Sequence, residues 1–180
     1  MRSLPVPLAA TALAAALALA LALTACDGGG GGGGGTSSGS GSKAAACSIG
    51  IEVGPGNVAT KAGDTSNVPV TITNRDARQC TFEGFPGIEL DSTSSSWTVA
   101  HERGAKPAKV TLQKDETATF TITYVLGTTG ASDSAPVRHL KITVPGGGDP
   151  QVFSWSYGDV SLKKPDTPNA SVSPIQVAGD

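Results

Sequence analysis

The sequence is short of the residues that most protein chemistry needs. Aromatic side chains make up 4% of it and charged ones 16%, with two histidines, one methionine and three cysteines. His101 and His139 are not spaced with any second ligand-type residue, and the one methionine is the first residue. Zinc and copper sites are thus poorly supplied, and neither a metal nor a cofactor is expected. Nor is there a basic face: 13 Lys and Arg stand against 15 acidic residues with no local cationic run, which excludes nucleic acid as a partner. No Gly-x-Ser-x-Gly elbow between a strand and a helix is present, since the one such string, Gly35 to Gly39, lies in the glycine tract, and His-Glu-x-x-His is missing, so no catalytic residue is assigned. The long glycine tract follows no strand and is not closed by Gly-Lys-Ser/Thr, which excludes a phosphate loop. Finally, no segment sustains an apolar period near 3.6, the mark of an amphipathic helix.

What is there begins with a leader. Residues 1–25 hold Arg2, an Ala and Leu run from Leu8 to Leu23, and then small residues, the layout of an export signal. A helix of about 16 residues rises about 24 Å, short of a hydrocarbon core of roughly 30 Å, so a permanent span is the weaker reading. Leu23-Thr24-Ala25-Cys26 resembles the lipobox of bacterial lipoproteins, in which the cysteine is lipidated and becomes the first residue. Cleavage before Cys26 and lipid on it (palmitate among the acyl chains) would leave the rest outside the cytoplasm, anchored to the outer face of the cell membrane. A single acyl chain binds a bilayer only marginally, so stable anchoring takes two or three.

Residues 26–46 read as a tether. Gly28 to Gly35 is unbroken glycine and Thr36 to Ser42 continues in Ser and Gly, a composition that loses maximal entropy on ordering and has nothing to bury. About 20 residues of such a coil reach roughly 25 Å.

From Cys47 the pattern changes to short runs with apolar residues at every second place, separated by Gly, Pro, Asp and Asn, the pattern of half-buried strands. Runs occur at Cys47–Val53, Val68–Ile72, Ile88–Leu90, Trp97–Val99, Val110–Leu112, Ala118–Tyr124, Leu140–Val144 and Phe153–Tyr157. Pro69 interrupts the second run's donors and points to an edge or an unpaired position. The expected fold is all-β: a two-sheet antiparallel β-sandwich over 47–162, immunoglobulin-like, of about seven to nine strands. The tail 163–180 carries Pro165, Pro168 and Pro174 and is expected to be a loose extension. With Cys26 lipidated, Cys47 and Cys80 are the remaining pair, and outside the cytoplasm their natural state is a disulfide.

Asn74, and then Cys80-Thr81-Phe82-Glu83-Gly84-Phe85-Pro86 followed by Leu90, resemble the signature of domain of unknown function 4232, a family of exported proteins and lipoproteins of high-GC Gram-positive bacteria. The likeness covers roughly Cys47 to Tyr157 and includes Gly63-Asp64 and the pair of runs from Val110 to Phe120. It implies an extracytoplasmic β-sandwich and supplies no activity. Gly84 and Pro86 suit a turn, with Phe82 and Phe85 packed beside the disulfide.

Three functions compete on this sequence. The first is a non-enzymatic module that binds a cell-envelope protein or glycan. The second is a carbohydrate-binding module using Phe153, Trp155 and Tyr157, which alternate along one strand face. Exposed, these rings would be a stacking platform; a chain so poor in aromatics, however, is expected to spend them on its core. The third is a hydrolase with dispersed carboxylates.

Overall fold

Alternation of apolar and hydroxyl residues decides the architecture, because a side-chain period of two places every second residue on one sheet face. A computed structural model describes residues 46–178, all within one compact unit spanning Ser42–Asp180. The leader, Cys26 and the tether up to residue 45 lie outside the described residues. The strands are β1 (Ile49–Val53), β2 (Thr65–Asn74), β3 (Cys80–Glu83), β4 (Gly87–Asp91), β5 (Ser96–Thr98), β6 (Ala100–His101), β7 (Lys109–Leu112), β8 (Thr117–Val125), β9 (Ser134–Ala135), β10 (His139–Thr143), β11 (Gln151–Ser154), β12 (Val160–Lys164), β13 (Thr167–Pro168), β14 (Ala170–Val172) and β15 (Gln176–Val177).

The large sheet runs β1-β2-β8-β14-β6, with β15 also paired to β8, and a second sheet runs β11-β10-β4-β5. Two smaller sheets, β13-β12-β9 and β3-β7, complete the set. The pairings are antiparallel except β14 with β6, which is parallel. The sheets form no closed barrel, and the fold is an all-β sandwich. Val68, Val70 and Ile72 of β2 and Phe120, Ile122 and Tyr124 of β8 share one core with Ile88 and Leu90 of β4 and Leu140 and Ile142 of β10. Outward, β8 alternates Thr117, Thr119, Thr121 and Thr123, all half-buried. Thr117 and Thr119 stand opposite Thr73 and Thr71 of β2, cross-strand pairs that favour the ladder. The strand count exceeds the seven to nine expected because short strands lie between the long ones.

Pro69 does not mark an edge, since β2 lies between β1 and β8. Its carbonyl accepts the N–H of Gly54, 2.9 Å away, just past the end of β1. Carbonyl and nitrogen of one strand residue face the same side, so the missing donor falls where the β1 ladder has ended and costs β8 nothing.

The tail corrects the sequence reading. Instead of a loose extension, 163–178 supplies the end of β12 together with β13, β14 and β15, and buries Val172 at 0% and Ile175 at 1% exposure. Without it the second edge of β8 would be bare, and covering that edge is the physical reason the segment orders. Pro168 ends β13 and Pro174 falls between β14 and β15, so neither occupies the interior of a long ladder. The sandwich therefore extends past 162.

One corner holds several segments at once. Cys47 and Cys80 form a disulfide with their Cα atoms 6.0 Å apart, closing a loop whose chain-entropy contribution is about 3 to 4 kcal/mol. Beside it, Asn74 is fully buried. Its Nδ2 donates to the carbonyls of Arg78 at 2.9 Å and Leu112 at 3.0 Å, and its Oδ1 accepts the N–H of Asp76 at 2.8 Å. Its backbone N–H donates to Glu116 and its carbonyl accepts from Asp115, which takes a left-handed φ of 64° in the turn between β7 and β8. We expect Asn74→Ala to destabilise the protein by about 3 kcal/mol, since two carbonyls and an amide lose buried partners. That corresponds to a melting temperature lower by roughly 10 °C, read by thermal and urea unfolding of the oxidised chain; a loss under about 1 kcal/mol would show the hub to be dispensable.

Candidate functional site

Aromatic residues need a partner for each polar tip when they enter a core, and the aromatic strand meets this requirement in full. β11 ends at Ser154, but the Trp155 N–H still reaches the Arg138 carbonyl at 2.8 Å, so the alternation continues one step further. Trp155 is buried at 7% exposure, Phe153 and Tyr157 pack partly buried against the core, and Val152, just before them, points out at 60%, the same way as the exposed Ser154 and Ser156 between them. The Trp155 Nε1 donates to the Gly158 carbonyl at 2.6 Å, and the Tyr157 hydroxyl to the Gly54 carbonyl at 2.7 Å. Trp155 lies edge-on between Tyr124 and Tyr157, with ring centroids 5.2 and 4.9 Å away. A Cβ on Gly56 would lie 2.8 Å from the Tyr157 ring, so glycine is what lets that ring dock. Phe153, Trp155 and Tyr157 thus share one side, as their spacing implies, but that side is the interior. They form no exposed stacking platform, which removes the geometric basis of the carbohydrate reading.

The disulfide corner is also where the chain enters the sandwich. The Cys47 N–H donates to the Gly146 carbonyl at 2.8 Å, the Arg75 N–H to the Ser48 carbonyl at 2.9 Å, and Arg78 Nη2 to the Ala46 carbonyl at 3.0 Å. Arg78 is held in turn by Asp76, with Nε 3.1 Å from Oδ2. The Asp76 carboxyl is held below its ordinary value of 3.8, chiefly by the backbone N–H of Arg78. A cleft of about 680 Å³ opens beside the disulfide, between Arg78, Thr81, Val144 and Asp149. Gly84 adopts φ of 107°, as its turn demands. Phe82 is buried, whereas Phe85 turns to stack on His101 with centroids 4.2 Å apart and rings within 6° of parallel.

The open face of the second sheet carries its charge. Lys141 pairs with Glu89. His139 stands opposite Asp91 on one side and Ser154 on the other, three residue types that can make a nucleophilic relay when hydrogen-bonded in series. No hydrogen bond joins these side chains among the described residues, and the row lies on an open sheet face, with His139 and Ser154 exposed. Sequence reading did not bring these three together, because their meeting depends on strand order, which spacing along the chain does not encode.

An all-β sandwich with a disulfide at its entrance, an inward-facing aromatic cluster and, among the described residues, no assembled relay at His139 defines a class rather than a reaction. Within that class, the sequence profile described as Domain of unknown function (DUF4232) matches residues 41–176, and the chain belongs to this family. A comparison with curated proteins finds no match.

The chain holds two tyrosines, Tyr124 and Tyr157. Burial raises both phenols above their ordinary value of 10.0, and Tyr124 also donates to the Tyr157 carbonyl. Phenols with raised folded pKa values contribute stability in full below pH 10 and lose it as pH climbs through those values. Titration of the full chain followed at 295 nm should therefore show no tyrosinate step at pH 10, but a later rise coincident with loss of near-ultraviolet circular dichroism. A free step at pH 10 would place at least one ring in solvent.

Proposed function

We propose that the chain is a lipoprotein, held by lipid on Cys26 at the outer face of the cell membrane, and that its sandwich is a non-enzymatic module binding a protein or glycan of the cell envelope. One observation carries this reading: the chain's entrance to the domain is clamped on every side. Within three residues of the last tether position, a disulfide, three backbone or side-chain hydrogen bonds and the Arg78–Asp76 pair fix the polypeptide. A domain hung from a flexible tether is loaded at that point, and a covalent link there stops strain from peeling β1 off the sheet. A disulfide is also the state that thiols reach outside the cytoplasm. The carbohydrate alternative would need a surface other than Phe153, Trp155 and Tyr157, and the hydrolase alternative would need its dispersed carboxylates to meet at one site.

In a high-GC Gram-positive host supplied with labelled palmitate, the wild-type chain should take up label and partition with membranes. Cys26→Ala should take up none, and should either keep its leader at precursor mass or be shed. A labelled Cys26→Ala chain, or an unlabelled wild type, would refute the anchor.

A further inference from the structure

Two of the strands that are hydrogen-bonded along one edge only flank the same groove. Among the described residues, β7 pairs only with β3, and β15 pairs only with β8. Each therefore turns backbone N–H and C=O groups away from its partner, the arrangement that accepts an added strand, although the Ile175 N–H, one residue before the two-residue β15, already donates to the Gly84 carbonyl at 3.5 Å. Between them lies a cavity of about 540 Å³ with Lys106, Lys109 and Val110 on one wall and Ile175, Gln176 and Val177 on the other. A second cavity of about 320 Å³, bordered by Thr111, Glu116, Val177 and Ala178, adjoins it at Val177. Residue numbers rise together on the two walls, so β7 and β15 run the same way along one continuous groove.

The chemistry along this groove has a direction. Lys106 and Lys109 are exposed at the end where both strands begin, and neither is ion-paired among the described residues. The middle is apolar: Val110 and Ile175 are buried, and Val177, at 44% exposure, is one of three exposed large hydrophobics among the described residues. The far end carries Asp115 and Glu116, where Arg75 already faces Asp115 and Glu116 accepts the Gln113 N–H. The groove is thus cationic at the end where both strands begin, with Glu83 opposite Lys109 on β3, and acidic at the other, a polarity that orients a charged peptide.

We propose that this groove binds an extended peptide segment of a partner protein as an added strand, antiparallel to both β7 and β15. In that orientation the peptide's C-terminal end lies at Lys106 and Lys109, so the occupant carries carboxylates there and small apolar residues facing Val110, Ile175 and Val177. The proposal rests on reading the domain as a binding module, and narrows its partner from envelope component to peptide. Edge lysines also occur as guards against self-association, and that role predicts a different result.

The test uses the full chain purified from membranes in detergent, with three blocked octapeptides of alternating valine and threonine. One ends in two aspartates, one begins with them, and the third repeats the first with every second backbone nitrogen methylated. The first should bind, the other two at least about tenfold more weakly, and Lys106→Gln/Lys109→Gln should weaken the first at least about tenfold without lowering the melting temperature. Equal binding of all three peptides, or unchanged affinity in the double variant accompanied by its self-association, would overturn the proposal. If no peptide binds while the chain sediments with purified cell walls, the groove fails and the binding module stands; if neither occurs, both fall.

Discussion

A buried side-chain amide with every polar atom engaged is the constraint on which the rest of this sandwich depends. Asn74 ends β2, and its three side-chain hydrogen bonds reach the loop after it and the end of β7, while its main chain holds the turn into β8. Leaving such a group unpaired inside a protein costs more than a typical hydrogen bond contributes, so the network specifies one arrangement of four segments. The disulfide adds a covalent limit at the same corner but acts mainly on the unfolded chain. The amide selects the geometry, and the disulfide reduces the number of alternatives.

Much of the fold was legible because alternation is a local property. Ala118, Phe120, Ile122 and Tyr124 read as one strand face, and they form it. Cys80-Thr81-Phe82 reads as a motif and turns out to be β3. The reading failed where local signals depend on what lies alongside. Pro69 reads as an edge or an unpaired donor, and only the end of β1 opposite it selects the second. The prolines of the tail look like disorder, but Val172 and Ile175 bury against an edge of β8 that no sequence window contains. The aromatic strand was legible in spacing, while its inward orientation followed only from how few aromatics the chain has. Phe85 met His101 across 16 residues with no pattern linking them.

The same limit explains why no site could be read in advance. The row formed by Asp91, His139 and Ser154, and the groove between β7 and β15, are products of strand order. Recognition by sheet edges needs few special residues: the backbone supplies the hydrogen bonds, and nearby side chains set direction and register. A surface of this kind leaves little trace in composition, in keeping with a sequence that has few charges and fewer aromatics.

Position on the fold separates two kinds of surface. The corner where the chain enters is tied by covalent and buried polar links, which hold it although β1 and β3 are themselves edge strands. The seam between β7 and β15 is the reverse, with short strands, exposed residues at Gln176 and Val177 and backbone groups facing outward. Local opening is easiest where few buried contacts resist it, so stiffness resides near Cys47 and compliance near Val177. The proposed anchoring and peptide binding would draw on that separation, because a groove that opened at the clamped corner would loosen β1 each time it was filled.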